Sequence, residues 1–130
     1  MSLPSHAEAF LKQVSAAIPP GYRVELDDDF LWICSPDGGK TGSSSYWLTS
    51  DVVLDEEALE GGVGSLNQIQ QEIAEETAEP WPASSGPGYR GFPEPQGAIV
   101  GAELRLWFGD RATPVLALDP LDLSDVLLRD

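Results

Sequence analysis

Residues 65–79 read SLNQIQQEIAEETAE and run into Pro80-Trp81-Pro82. Leu66, Ile69, Ile73 and Thr77 recur on one face of an α-helix, and Gln68, Glu72, Glu75, Glu76 and Glu79 take the other side. Ser65, followed three residues later by Gln68, has the form of a capping box. Pro80 disfavours helical geometry at Glu79 and stops the helix there. One narrow apolar stripe needs a sheet or a second helix to cover it, so the elements on either side decide the fold.

Toward the N-terminus, Ala7, Phe10, Leu11, Val14 and Ile18 form a second stripe. A helix is predicted over 6–18, capped by Ser5 and Glu8 and ended by Pro19-Pro20-Gly21. Tyr22, Val24 and Leu26 alternate with Arg23 and Glu25 as in a half-buried strand. After the polar turn Asp27-Asp28-Asp29, the run FLWICS over 30–35 is apolar on both faces and reads as a central strand. Pro36-Asp37-Gly38-Gly39 is turn chemistry. The third strand is expected over 44–54, with Tyr46, Leu48 and Val52 on one face and Trp47, Thr49 and Asp51 on the other. Asp55, Glu56 and Glu57 suit the start of a helical turn, where carboxylates complement the dipole, and Gly61-Gly62 is expected to end it.

Toward the C-terminus, residues 80–97 (PWPASSGPGYRGFPEPQG) are too long and too punctuated for an ordinary connection. Over 98–108 Leu104, Leu106 and Phe108 share one strand face and Glu103, Arg105 and Trp107 the other, with Gly101 marking a bulge or tight turn. A last strand over 113–118 takes an edge position because of Pro114, and 124–129 suit a short helix. The predicted class is α+β: an antiparallel sheet of about five strands with helices on one face, in the order α-β-β-β-α-β-β-α.

A chain of 130 residues suits one domain. No apolar run is long enough for a membrane span, and a lone cysteine, Cys34, points to the cytoplasm. Seven Lys and Arg face 22 Asp and Glu, a net charge of −15. Nucleic acid is a poor partner for that field, whereas a basic protein is steered toward it.

No cofactor or metal is expected. Gly39-Lys40-Thr41 has the last letters of a phosphate-binding loop but lacks its first glycine, since Cys34 stands there. Asp27, Asp28, Asp29 and Asp37 are oxygen ligands without calcium-loop spacing and read as solvated turns. His6, in the first helical turn, is poor ground for a general base, and Cys34 reads as an inert core thiol. The candidate partner-binding residues are instead aromatic: Trp81, Tyr89 and Phe92 in the long loop with Arg90 among them, and Trp47 and Trp107, which alternation turns away from the helices. Two tryptophans on an uncovered face would be buried by a homodimer, or else by the loop folding across them.

The order of elements resembles that of the type III secretion chaperone-like fold, which YbjN-like bacterial proteins also adopt. That resemblance implies a small, acidic, dimeric, non-catalytic protein. Pro80-Trp81-Pro82 and the LWFG of 106–109 also resemble stretches of small actinobacterial proteins. The expected function is therefore a non-catalytic interaction module, chaperone- or adaptor-like. The alternatives are an acidic inhibitor, such as an immunity protein or DNA mimic, and a small enzyme.

Overall fold

The structure is a computed structural model that describes residues 4–50, 52–77, 81–82 and 93–127. Its elements run α1 (Ser5–Ala17), β1 (Arg23–Asp27), β2 (Phe30–Cys34), β3 (Lys40–Ser44), α2 (Tyr46–Thr49), α3 (Asp55–Thr77), β4 (Pro95–Val100), β5 (Glu103–Gly109), β6 (Pro114–Ala117) and β7 (Leu121–Asp122). The class is α+β as expected, but the strands form two antiparallel sheets rather than one of about five. The first has the order β1-β2-β3; the second has the order β4-β5-β6, with the two-residue β7 also paired to β5.

α1 buries Ala7, Phe10 and Val14 through its expected stripe. Its start differs from the capping-box reading: Pro4 is the N-cap, no side chain caps the helix, and the Pro4 carbonyl accepts from the amides of Ala7 and Glu8. The β1–β2 hairpin is as read, closing through a two-residue turn in which Asp28 takes φ 53°. Asp29 Oδ1 accepts from Thr49 Oγ1 at 2.8 Å, so this acidic run is hairpin hardware.

The third strand is a correction. β3 is the polar stretch KTGSS, and the residues expected to continue it form the helical turn α2. Pairing decides this, not propensity. Gly42 lies opposite Trp32, and a Cβ there would meet the indole Cδ2 at 2.8 Å, so only glycine lets the ring lie flat across β3.

α3 is the second correction, because it runs unbroken through Gly61, Gly62 and Gly64. Its true start is the acidic Asp55-Glu56-Glu57, and the Glu57 carboxylate reaches back to accept from the Leu54 amide at 3.0 Å. Ser65 is thus mid-helix. The glycines are there for approach: a Cβ at Gly62 would stand 2.9 Å from the Leu106 side chain, and one at Gly61 would strike Trp47. Leu66, Ile69 and Ile73 are buried as expected, together with Leu104, Leu106 and Phe108 of β5. Residues 78–80 lie outside the described part of the chain, as do Asp51 and most of the proline-rich loop.

Of the bulge or tight turn expected at Gly101, the structure has the turn, at φ 64°, and it divides the stretch over 98–108 between two paired strands, β4 and β5. β6 sits beside β5 with Pro114 at its start, as its edge reading required. Instead of a C-terminal helix, 124–126 form a turn and Leu127 makes a parallel bridge to Val53. α1 packs on β1 of the first sheet and β7 of the second; α3 packs on β2, β4 and β5. The two helices therefore join both sheets in one continuous core.

Candidate functional site

Trp47 is not a surface residue. It is 3 % exposed, with Phe10 edge-on at 5.1 Å between ring centroids. Its Nε1–H donates to Ser65 Oγ at 3.1 Å, and its carbonyl accepts from His6 Nε2 at 2.7 Å. A carbonyl only accepts, so this bond fixes the Nε2–H tautomer of His6. His6 is 2 % exposed, so this first-turn histidine belongs to the core. Burial pushes its pKa below the ordinary histidine value, against a smaller opposite pull from the Trp47 carbonyl.

The sign of the pH effect follows. The folded state resists the proton that the unfolded chain accepts near pH 6.5, so stability is full above that pH and falls as pH drops. Stability should therefore be lower at pH 5.5 than at pH 6.5. Urea midpoints at the two pH values measure it. His6→Gln, which keeps an amide donor but does not titrate, should flatten the difference; an equal slope in the variant would assign it to other groups.

Trp107 does lie on the β5 face opposite Leu104, Leu106 and Phe108, but it is 8 % exposed within the single chain. The Arg111 guanidinium stands 5.5 Å from its ring centroid, and the buried Trp107 Nε1 has no hydrogen-bond partner among the described residues. Trp81 closes edge-on over Phe108 at 5.5 Å and packs against the core. Tyr89, Arg90 and Phe92 lie outside the described residues. The two-tryptophan contact face therefore does not exist as expected, since Trp47 is in the core and Trp107 is covered without a second copy.

Other aromatics do hold an uncovered face. Val24, Leu31 and Ile33 of the first sheet join the core, which turns Phe30 and Trp32 outward, and neither packs against the core. Phe30 is 44 % exposed, and its ring lies 5.8 Å from that of Trp32. Lys40 Nζ sits 4.7 Å over the Trp32 ring, and Arg23 pairs with Glu25 at 2.9 Å beside it. The sequence signal was the two-faced apolar run of β2; helices cover only one of those faces.

A second surface is a groove of about 670 Å³ between α3 and the start of β4. Leu59, Val63 and Pro95 supply its apolar lining, with Asn67 and Gln70 between them and Glu60 and Glu94 as its carboxylates. Gln70 builds the site: buried in α3, its Nε2 donates to the Pro93 carbonyl at 2.6 Å and anchors the entry to β4. Among the described residues β4 pairs only with β5, so its other edge is free. Further along α3, Glu76 and Glu72 join Asp37 near Tyr22, whose pKa is raised by burial first and then by these carboxylates. Asp37 itself is held below the usual carboxylate range, chiefly by the Ser35 hydroxyl and then by the Gly39 amide.

The remaining sequence candidates are structural. Gly39-Lys40-Thr41 leads into β3, not into the helix a phosphate loop requires. Cys34 is a free, buried thiol. Among the described residues no group of three or more His, Cys, Asp or Glu is placed to hold a metal ion, and no helix is long and apolar enough to cross a membrane. Compared with family models, with curated proteins and with solved structures, the chain gives no match.

Proposed function

We propose that this chain is a small, acidic, non-catalytic interaction module, chaperone- or adaptor-like, whose partner is a basic segment of another protein. The observation that carries this reading is the groove between α3 and β4. It joins an apolar lining, flanking carboxylates and a free strand edge along one path. Such an edge offers main-chain hydrogen bonds to an extended peptide, and the neighbouring lining accepts alternate side chains. Glu60 and Glu94 favour lysine or arginine at the positions between, and the net charge of −15 draws such a segment in from solution.

A short labelled peptide alternating lysine with valine tests the proposal by fluorescence anisotropy. It should bind at low salt and weaken roughly tenfold or more at moderate salt, as expected for charge-steered binding. The double variant Glu60→Lys, Glu94→Lys should lose binding by a similar factor, while Glu103→Lys, on the far side of the β4–β5 turn, should change it little. A glutamate–valine peptide binding equally well, or undiminished binding by the double variant, would refute the groove.

A further inference from the structure

We infer that the outer face of the β1–β2–β3 sheet is a self-association surface, on which a second copy of this chain docks about a twofold axis. Cross-strand register orders this face into three rows. Arg23, Cys34 and Lys40 form one end, Glu25, Trp32 and Gly42 the middle, and Asp27, Phe30 and Ser44 the other end. Its charges are two cations, Arg23 and Lys40, against two carboxylates, Glu25 and Asp27, which sum to zero on a chain whose net charge is −15. Two copies repel each other through their net charge, and on this neutral aromatic strip that repulsion is weakened.

The rows are also self-complementary. A twofold axis lying between the two sheets, perpendicular to β2, sets the strands antiparallel. The Arg23–Lys40 end of each copy then lies over the Asp27 end of the other, where the hairpin turn adds Asp28. Trp32 meets Trp32 near the axis, and Phe30 comes against the opposite row of Arg23, Cys34 and Lys40. Gly42 keeps the Trp32 indole flat on the sheet, beneath the flexible Lys40 side chain. Asp37, beside the cationic end, is already bound by Ser35 and the Gly39 amide. A basic partner finds little attraction here, because Arg23 and Lys40 cancel the carboxylates; a second copy supplies the matching pattern. The face spans only about 15 by 17 Å, well under a standard interface, so the dimer is weak, with dissociation on the order of 100 μM.

Sedimentation equilibrium over a concentration series tests this without any peptide, so its outcome is independent of the groove. The mean mass should climb from the 14.0 kDa monomer toward twice that value. Arg23→Glu alone and Asp27→Lys alone should each weaken association at least roughly fivefold, because the axis lays β1 over β1 and each change sets like charges face to face. Both are exposed positions, and unchanged far-ultraviolet dichroism confirms folding. The double variant Arg23→Glu, Asp27→Lys restores opposite charges across the twofold and should recover association to within about twofold of wild type. A wild type that stays monomeric to about 1 mM overturns the inference. So does a double variant no better than the singles, and so does a monomer whose Trp32 emission shifts on adding the lysine–valine peptide, which would give the face to a basic partner.

Discussion

Gly61→Ala and Gly64→Ala move stability in opposite directions, although they lie three residues apart in the same helix. At Gly64 nothing stands within 4 Å of an added Cβ, so alanine should stabilise α3 by about 0.5–1 kcal/mol through helix propensity alone. At Gly61 the new Cβ would come within 2.6 Å of Trp47 Cγ and 2.9 Å of Trp47 Cβ. Those atoms sit at the base of a buried side chain and cannot swing aside. The helix must move off α2, and the overpacking should cost about 2–3 kcal/mol after the propensity gain is subtracted. Urea midpoints at constant slope measure both. A Gly61→Ala protein as stable as wild type would show that α3 does not approach Trp47 this closely.

Trp47→Ala should be the most damaging single truncation in the chain. It empties the space between Phe10, His6 and Gly61 and strands the Ser65 hydroxyl in a dry core, although His6 keeps its bond to the residue-47 carbonyl. Large aromatic truncations of this kind cost about 3–5 kcal/mol, a large share of a small domain's total stability. Cooperative thermal unfolding should be lost or shifted far down at neutral pH. Trp32→Ala, on the outer sheet face, should leave the melt nearly in place. If Trp47→Ala melts like Trp32→Ala, the α2 turn is not part of the core.

The sequence was legible wherever one face of an element carries the signal. The stripe of α1, the Asp28-Asp29 hairpin and the alternation of Leu104, Leu106 and Phe108 needed no knowledge of their neighbours. Three features were illegible because the deciding atoms lie elsewhere in the chain. Lys40–Ser44 is polar and flexible by composition, and becomes a strand because β2 pairs with it. Tyr46–Thr49 mimics strand alternation, yet both Trp47 and Leu48 are buried, which a helical turn permits and one sheet face does not. Gly61 and Gly62 read as a break, but they are close contacts with Trp47 and Leu106. The candidate surfaces split likewise. Phe30 and Trp32 could have been found by asking what covers the second face of FLWIC; the groove could not, since it depends on Gln70 reaching Pro93.

α1 rests on β7, and Gln13 hydrogen-bonds the backbone of Asp119, 106 residues away. During synthesis the first helix can settle on β1 and α2, but the part of its apolar stripe that meets β7 stays uncovered until Leu121 and Leu123 have been made. Both of those leucines are fully buried in the finished core. No early fragment of the chain can complete that core, so ribosome-bound intermediates should be protease-sensitive over nearly their whole length. Full protection of α1 should then arrive in one late step, and loss of the last ten residues should be as harmful as loss of the first helix.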